Sequence, residues 1–158
     1  MKVEDIMTKN VVACAPSDKV EDVVRLMGEK GISGLPVVEG DRIVGIVTEG
    51  DILKLLAVPQ EGTGNLWLPT PFEVLLEIPV KDIIALRHIQ KSLKDVGECP
   101  VSQIMSRDVI TVEPGVDIED AAQAMVRYRL KRLPVASGGK LVGIVTRDDI
   151  IRSLGGRK

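Results

Sequence analysis

The sequence predicts an α/β (α+β) fold of two β-α-β-β-α units packed with pseudo-two-fold symmetry. Three observations carry that prediction. The chain repeats itself once without a gap: shifted by 98 positions, Val3–Leu56 lies on Val101–Leu154 with 20 of 54 positions identical, which marks a duplicated unit. Within each copy the apolar spacing passes from helical to strand-like in the same order. Finally, Trp67, Phe72 and Tyr128 are the only aromatics, so the core must be built from Val, Ile, Leu, Met and Ala. A unit of ~55 residues is at the lower edge of independent stability, and two units burying a shared face solve that problem.

Each copy reads in order. Val11–Ala13, and its counterpart Val109–Val112, is a short apolar run ending at a proline, which suits a short strand leading into a loop. Val20, Val23, Val24 and Met27 recur at i, i+3, i+4 and i+7, as do Ile118, Ala121, Ala122 and Met125. That spacing predicts an amphipathic helix. Two β-branched runs follow, Leu35–Val38 and Arg42–Thr48, joined by Glu39-Gly40-Asp41 in the first copy and Ser137-Gly138-Gly139 in the second. Glycine in so short a connection signals a hairpin. A last helix starts near Glu49 or Arg147 and runs to Leu56 or Leu154. The organisation is therefore repeat one over residues 1–57, a connector over 58–100, and repeat two over 101–158.

The connector has no counterpart elsewhere. Pro59, Gly62, Gly64, Pro69 and Pro71 make its first half loop-like. Val80–Leu93 is spaced for a surface helix, on which His88 falls. Trp67 and Phe72 are expected to pin the connector to the hydrophobic surface, the alternative being that they stack on a ligand base.

Bulk properties exclude several function classes. With 44% hydrophobic and 28% charged residues, the chain has globular rather than disordered composition. Net charge is −2 and the pI is about 5.5, so no global basic field attracts nucleic acid. The few aromatics also count against a single-strand stacking platform. Cys14 and Cys99 are too few and too far apart for a disulfide framework or a zinc site, and Cys14 reads as a small buried hydrophobe. No run approaches ~18 apolar residues and no signal peptide is visible; a reducing cytoplasm is the expected compartment. Paired-carboxylate, phosphate-loop and nucleophile-elbow patterns are missing from the sequence, so the expectation is a non-enzyme without a metal.

The candidate chemistry lies at a strand-to-helix junction, Gly-Ile-Val-Thr-x-x-Asp, present as Thr48/Asp51 and again as Thr146/Asp149. A Thr at the N-cap with an acid three residues on resembles a capping box, where side chains satisfy orphan backbone N–H groups. A carboxylate held at a helix start can also accept from two adjacent hydroxyls, as an acidic residue does on the ribose in dinucleotide-binding folds. Capping and binding are compatible, and both stay open.

Those junctions, with Ile6-Met7 and Ile104-Met105, Leu35-Pro36-Val37-Val38 and Leu133-Pro134-Val135-Ala136, resemble CBS domains. The tandem pair resembles a Bateman module over about two thirds of the chain. The resemblance implies an adenosine-containing ligand (AMP, ADP, ATP or S-adenosylmethionine) in clefts between the repeats. It implies that Thr and Asp hold the ribose, while the residues before Leu-Pro-Val from the other repeat face the phosphates. Thr48 and Asp51 would then share a cleft with Lys131 and Arg132, and Thr146 and Asp149 one with Ser33 and Gly34. A homodimer and an unidentified regulated partner protein are implied as well.

The pairing makes the clefts unequal. Arg127-Tyr128-Arg129-Leu130-Lys131-Arg132 carries four cations, where the first copy has Glu29, Lys30, Gly31, Ile32, Ser33 and Gly34. Guanidinium grips phosphate bidentately, so the Asp51 cleft is expected to prefer a phosphorylated ligand. Alternatively, the cations complement a helix C-terminus and stay solvated. The expected function is an adenosyl-ligand sensor that modulates a partner. The alternative is a dimeric scaffold with vestigial clefts.

Overall fold

The computed structural model describes residues 1–57 and 94–156. The expectations placed on Trp67, Phe72, His88 and the helix over Val80–Leu93 lie outside them. The elements are α1 (Val3–Ile6), α2 (Val20–Lys30), β1 (Gly34–Glu39), β2 (Arg42–Thr48), α3 (Glu49–Ala57), and α4, described over residues 94–98. A 3-10 turn (Val101–Gln103), α5 (Ile118–Arg127), β3 (Arg132–Ser137), β4 (Lys140–Thr146) and α6 (Arg147–Leu154) follow.

Each helix–hairpin–helix forms where its periodicity predicts. Helix α2 buries Val20, Val23 and Met27, and α5 buries Ile118, Ala121 and Met125. Gly31 ends α2 in the left-handed region at φ 62°, its N–H returning to Gly28 and Met27 carbonyls, a conformation glycine enters without steric cost. At the aligned position after α5 the left-handed residue is Arg129, at φ 55°. The hairpins turn on Gly40 (φ 63°) and on Gly138-Gly139 (φ 58° and 80°).

The first strand of each unit is shorter than its apolar run predicts. Only Cys14 pairs with Val37, and only Val112 with Val135, each as a single parallel bridge. Cys14 donates to the Pro36 carbonyl and accepts from Val38 N–H, and Val112 does the same with Pro134 and Ala136. The next rung on one side would need an N–H from Pro16 or Pro114, and on the other side an N–H from Pro36 or Pro134. Proline supplies none, so the ladder stops after one rung in both copies.

The four strands make one antiparallel sheet in the order β1-β2-β4-β3. Its two hairpins meet at Arg42 and Lys140 alone, where Leu141 N–H donates to the Asp41 carbonyl and Ile43 N–H to that of Gly139. These bonds interchange under the 98-residue shift, so the pseudo-two-fold runs between the hairpins.

The two cores exchange their first segments. Val3 completes the core of Ala121, Met125, Leu133, Val135, Val145 and Ile150, while Val101 and Met105 complete that of Val20, Val23, Met27, Leu35, Val37 and Val47. Backbone bonds fix the exchange. Val3 donates to Val116 and Glu4 to Pro114; in the mirror arrangement Val101 donates to Asp18 and Ser102 to Pro16. Because each fully buried aliphatic side chain contributes about 1.5–3 kcal/mol, neither repeat closes its core alone. The exchange also gives the repeated Met and Gly a shared reason. Met105 lies against Gly45 and Met7 against Gly143, so closely that a Cβ on either glycine would fall 2.6 or 2.4 Å from the methionine Sδ.

Candidate functional site

Strand β2 ends at Thr48 and α3 begins at Glu49, which fixes Asp51 in the first helical turn. Asp51 Oδ2 accepts from Thr48 N–H at 2.9 Å and from Thr48 Oγ1 at 3.1 Å. The second junction repeats this, with Asp149 Oδ2 accepting from Thr146 N–H at 2.8 Å and Oγ1 at 2.7 Å. There Asp149 N–H returns to Thr146 Oγ1, completing a capping box.

The two carboxylates differ in their other oxygen. Asp149 Oδ1 accepts from Arg152 Nη2 at 2.8 Å. Lys54 occupies the aligned position in the first repeat, and no ion pair joins it to Asp51 among the described residues. Asp51 Oδ1 therefore has no partner there and remains available as an acceptor.

A cavity of about 500 Å³ opens between the repeats beside Asp51. Thr48 and Asp51 form one side, and Arg129, Lys131 and Arg132 supply cations from the other repeat. Val109, Ile110 and Pro134 give it an apolar wall. Local bonding holds these parts in place. Ser106 and Ile46 exchange backbone hydrogen bonds of 2.9 and 3.0 Å, which sets the 106–110 segment over β2. Arg147 N–H donates to the Lys131 carbonyl and its Nε to that of Leu130, pinning the cationic loop.

Arg132 is half-buried. Burial pulls its guanidinium below the ordinary arginine value, and the nearby Glu49 carboxylate opposes that effect. It donates to the Gly34 carbonyl and to the Ser33 hydroxyl.

The structure thus brings Thr48, Asp51, Lys131 and Arg132 to one cavity, and Ser33 with them. Gly34 is buried and accepts from Arg132. Thr146 and Asp149 stand outside this cavity. Arg129, one of the four cations of the 127–132 run, also lines it, as do Glu49 and Asp108, to which sequence reasoning gave no binding role. Arg129 carried a signal, since a basic residue aligns with the helix-ending Gly31. Asp108 carried none. Among the described residues no cluster of three or more His, Cys, Asp or Glu could hold a metal, and no helix is long and apolar enough to cross a membrane.

Comparison with known proteins agrees with this architecture. A family model described as the CBS domain matches the chain twice, over residues 3–58 and 101–156. Uncharacterized protein MJ1426 of Methanocaldococcus jannaschii is 40% identical over 156 residues, covering 98% of this chain and 91% of that one. Inosine-5'-monophosphate dehydrogenase of Korarchaeum cryptofilum is 31% identical over 150 residues, which is 94% of this chain and 23% of the enzyme. CBSX2, a chloroplastic CBS domain-containing protein of Arabidopsis thaliana, has been solved in complex with AMP. That structure superposes with a TM-score of 0.70 at 26% identity, covering 98% of this chain and 96% of the other.

Proposed function

The chain belongs to the CBS-domain family, and from that premise we propose that it is a non-catalytic regulatory module that binds an adenosine-containing ligand between its repeats, taken as residues 1–57 and 101–158. The observation that carries this reading is the cavity beside Asp51, lined by that carboxylate, whose Oδ1 has no partner among the described residues, and by three cations from the other repeat. Asp51 Oδ1 suits a ribose diol, and Val109, Ile110 and Pro134 offer an apolar face for a base. Arg129, Lys131 and Arg132 suit a phosphate. AMP in the CBSX2 complex supports an adenine nucleotide as the ligand class. The Asp149 site takes a nucleoside without phosphate or stays weaker, since Arg152 occupies its second oxygen. Output acts through a partner protein in a reducing compartment, with the module as a homodimer. A ligand shifts such a system only by binding its two states unequally.

Isothermal titration with AMP, ATP and S-adenosylmethionine tests the reading, alongside Asp51→Ala and Asp149→Ala. A hydrogen bond to a charged group contributes about 1.5–3 kcal/mol, so Asp51→Ala should weaken AMP at least about tenfold, while Asp149→Ala leaves that site intact. A folded protein that binds none of the three would displace the sensor reading in favour of a dimeric scaffold.

A further inference from the structure

Arg132 stands where the 98-residue shift places Gly34 in the first repeat. Its side chain crosses the pseudo-two-fold to reach that counterpart, donating from Nη1 to the Gly34 carbonyl and from Nη2 to the Ser33 hydroxyl. Glycine makes the crossing possible, because a Cβ at Gly34 would lie 3.0 Å from Arg132 Nη1 and 2.9 Å from the Val47 carbonyl oxygen. Both acceptors are neutral. No carboxylate lies within ion-pair distance of this guanidinium among the described residues. A half-buried cation thus ties the two repeats through neutral oxygens while facing the Asp51 cavity.

We propose that this tie is a latch, opened by a phosphate-bearing ligand in the Asp51 cavity and left closed by a phosphate-free nucleoside. The proposal rests on the nucleotide reading above. A phosphate brings the negative charge that Ser33 and Gly34 lack, and a bidentate grip needs two guanidinium N–H groups aimed the same way. Nη1 and Nη2 each direct a hydrogen at residues 33–34. A phosphate gripped end-on by Nη1 and Nη2 takes that edge only when Ser33 and Gly34 release it, whereas one held side-on by Nε and Nη2 would leave the tie closed. The phosphorylation state of the ligand is then read as the presence or absence of a direct bond between repeats, which is the differential contact that a two-state response requires.

The test is titration of AMP and of adenosine into the unaltered protein, Ser33→Ala and Arg132→Gln. Removing the Ser33 hydroxyl weakens the competing anchor by one hydrogen bond, so Ser33→Ala should bind AMP more tightly and raise the ratio of AMP to adenosine affinity about fivefold. Arg132→Gln should erase the preference for AMP over adenosine. If Ser33→Ala binds AMP equally or more weakly, or the unaltered protein binds the two ligands alike, the latch is refuted and the nucleotide site stands. If the unaltered protein binds neither ligand, the site and the latch fall together.

Discussion

Gly45→Ala is the sharpest probe of the exchanged cores. A Cβ at position 45 would sit 2.6 Å from Met105 Sδ, 3.0 Å from its Cγ and 3.1 Å from the Ser106 carbonyl oxygen, where ordinary contact begins near 3.4 Å. Met105 is itself buried in the first core, and the Ser106 backbone is held by its reciprocal bonds to Ile46. Neither neighbour yields without loosening the packing. Overpacking of this kind costs about 1–3 kcal/mol, and a domain of this size loses about 2–4 °C in Tm per kcal/mol. At Gly143 the three nearest atoms all belong to Met7, whose side chain is only half-buried, so Gly143→Ala should cost less than Gly45→Ala. Urea unfolding followed by circular dichroism measures both. Met105→Ala alone should destabilise by about 2–5 kcal/mol through the cavity it leaves. Because the added methyl fills part of that space, the double variant Gly45→Ala/Met105→Ala should be more stable than the sum of the singles by about 1 kcal/mol. Strict additivity, or a Gly45→Ala variant as stable as the parent, would refute the claim that the repeated Gly exists to admit the other repeat's Met.

Two further predictions follow from individual residues. Arg129 is a non-glycine residue at φ 55°, a conformation that costs about 1 kcal/mol or more, so Arg129→Gly should raise Tm by a few degrees while weakening AMP; a lower Tm would remove the strain argument. Burial, with Asp18 adding to it, pushes the Cys14 thiol from 9.0 up to about 12. The folded state therefore favours the neutral thiol, and the stability this contributes is whole below pH 9 and lost as pH rises toward 12. Cys14→Ala should lose stability less steeply than the parent between pH 9 and 11 in urea titrations, and parallel curves would disprove it.

Much of the fold was legible because it repeats. The helical spacing of Val20, Val23 and Met27 and the glycine-marked hairpins specify local structure, and local structure is what periodicity reports. The truncation of the first strands was legible in principle, since Pro16 and Pro36 flank the only rung that can form. The exchange of first segments was not. Ile6-Met7 reads the same whichever core receives it, and only the contacts of Met7 with Gly143 and of Met105 with Gly45 decide the matter. Resemblance brought Thr48, Asp51, Lys131 and Arg132 to one reading. The crossing of Arg132 onto Ser33 and Gly34 could not be read, because it depends on side-chain reach across a symmetry axis, which spacing along the chain does not encode.

Where the copies agree and where they differ follows a physical division. Met, Gly and Pro recur at aligned positions because both halves need the same exchange and the same ladder stop. The differences gather at the cleft. Gly31 aligns with Arg129 and Gly34 with Arg132, so the second repeat places cations where the first keeps glycine. The first substitution is tolerated at the cost of left-handed strain, in a residue that lines the cavity. The second is tolerated because its counterpart stayed glycine: an arginine at both positions would set two guanidinium groups against each other across the axis, without the space that one finds now. The asymmetry is thus forced by the symmetry. Only one repeat sends a cation across the pseudo-two-fold, and the cleft that this cation lines is the one where Asp51 Oδ1 has no partner among the described residues.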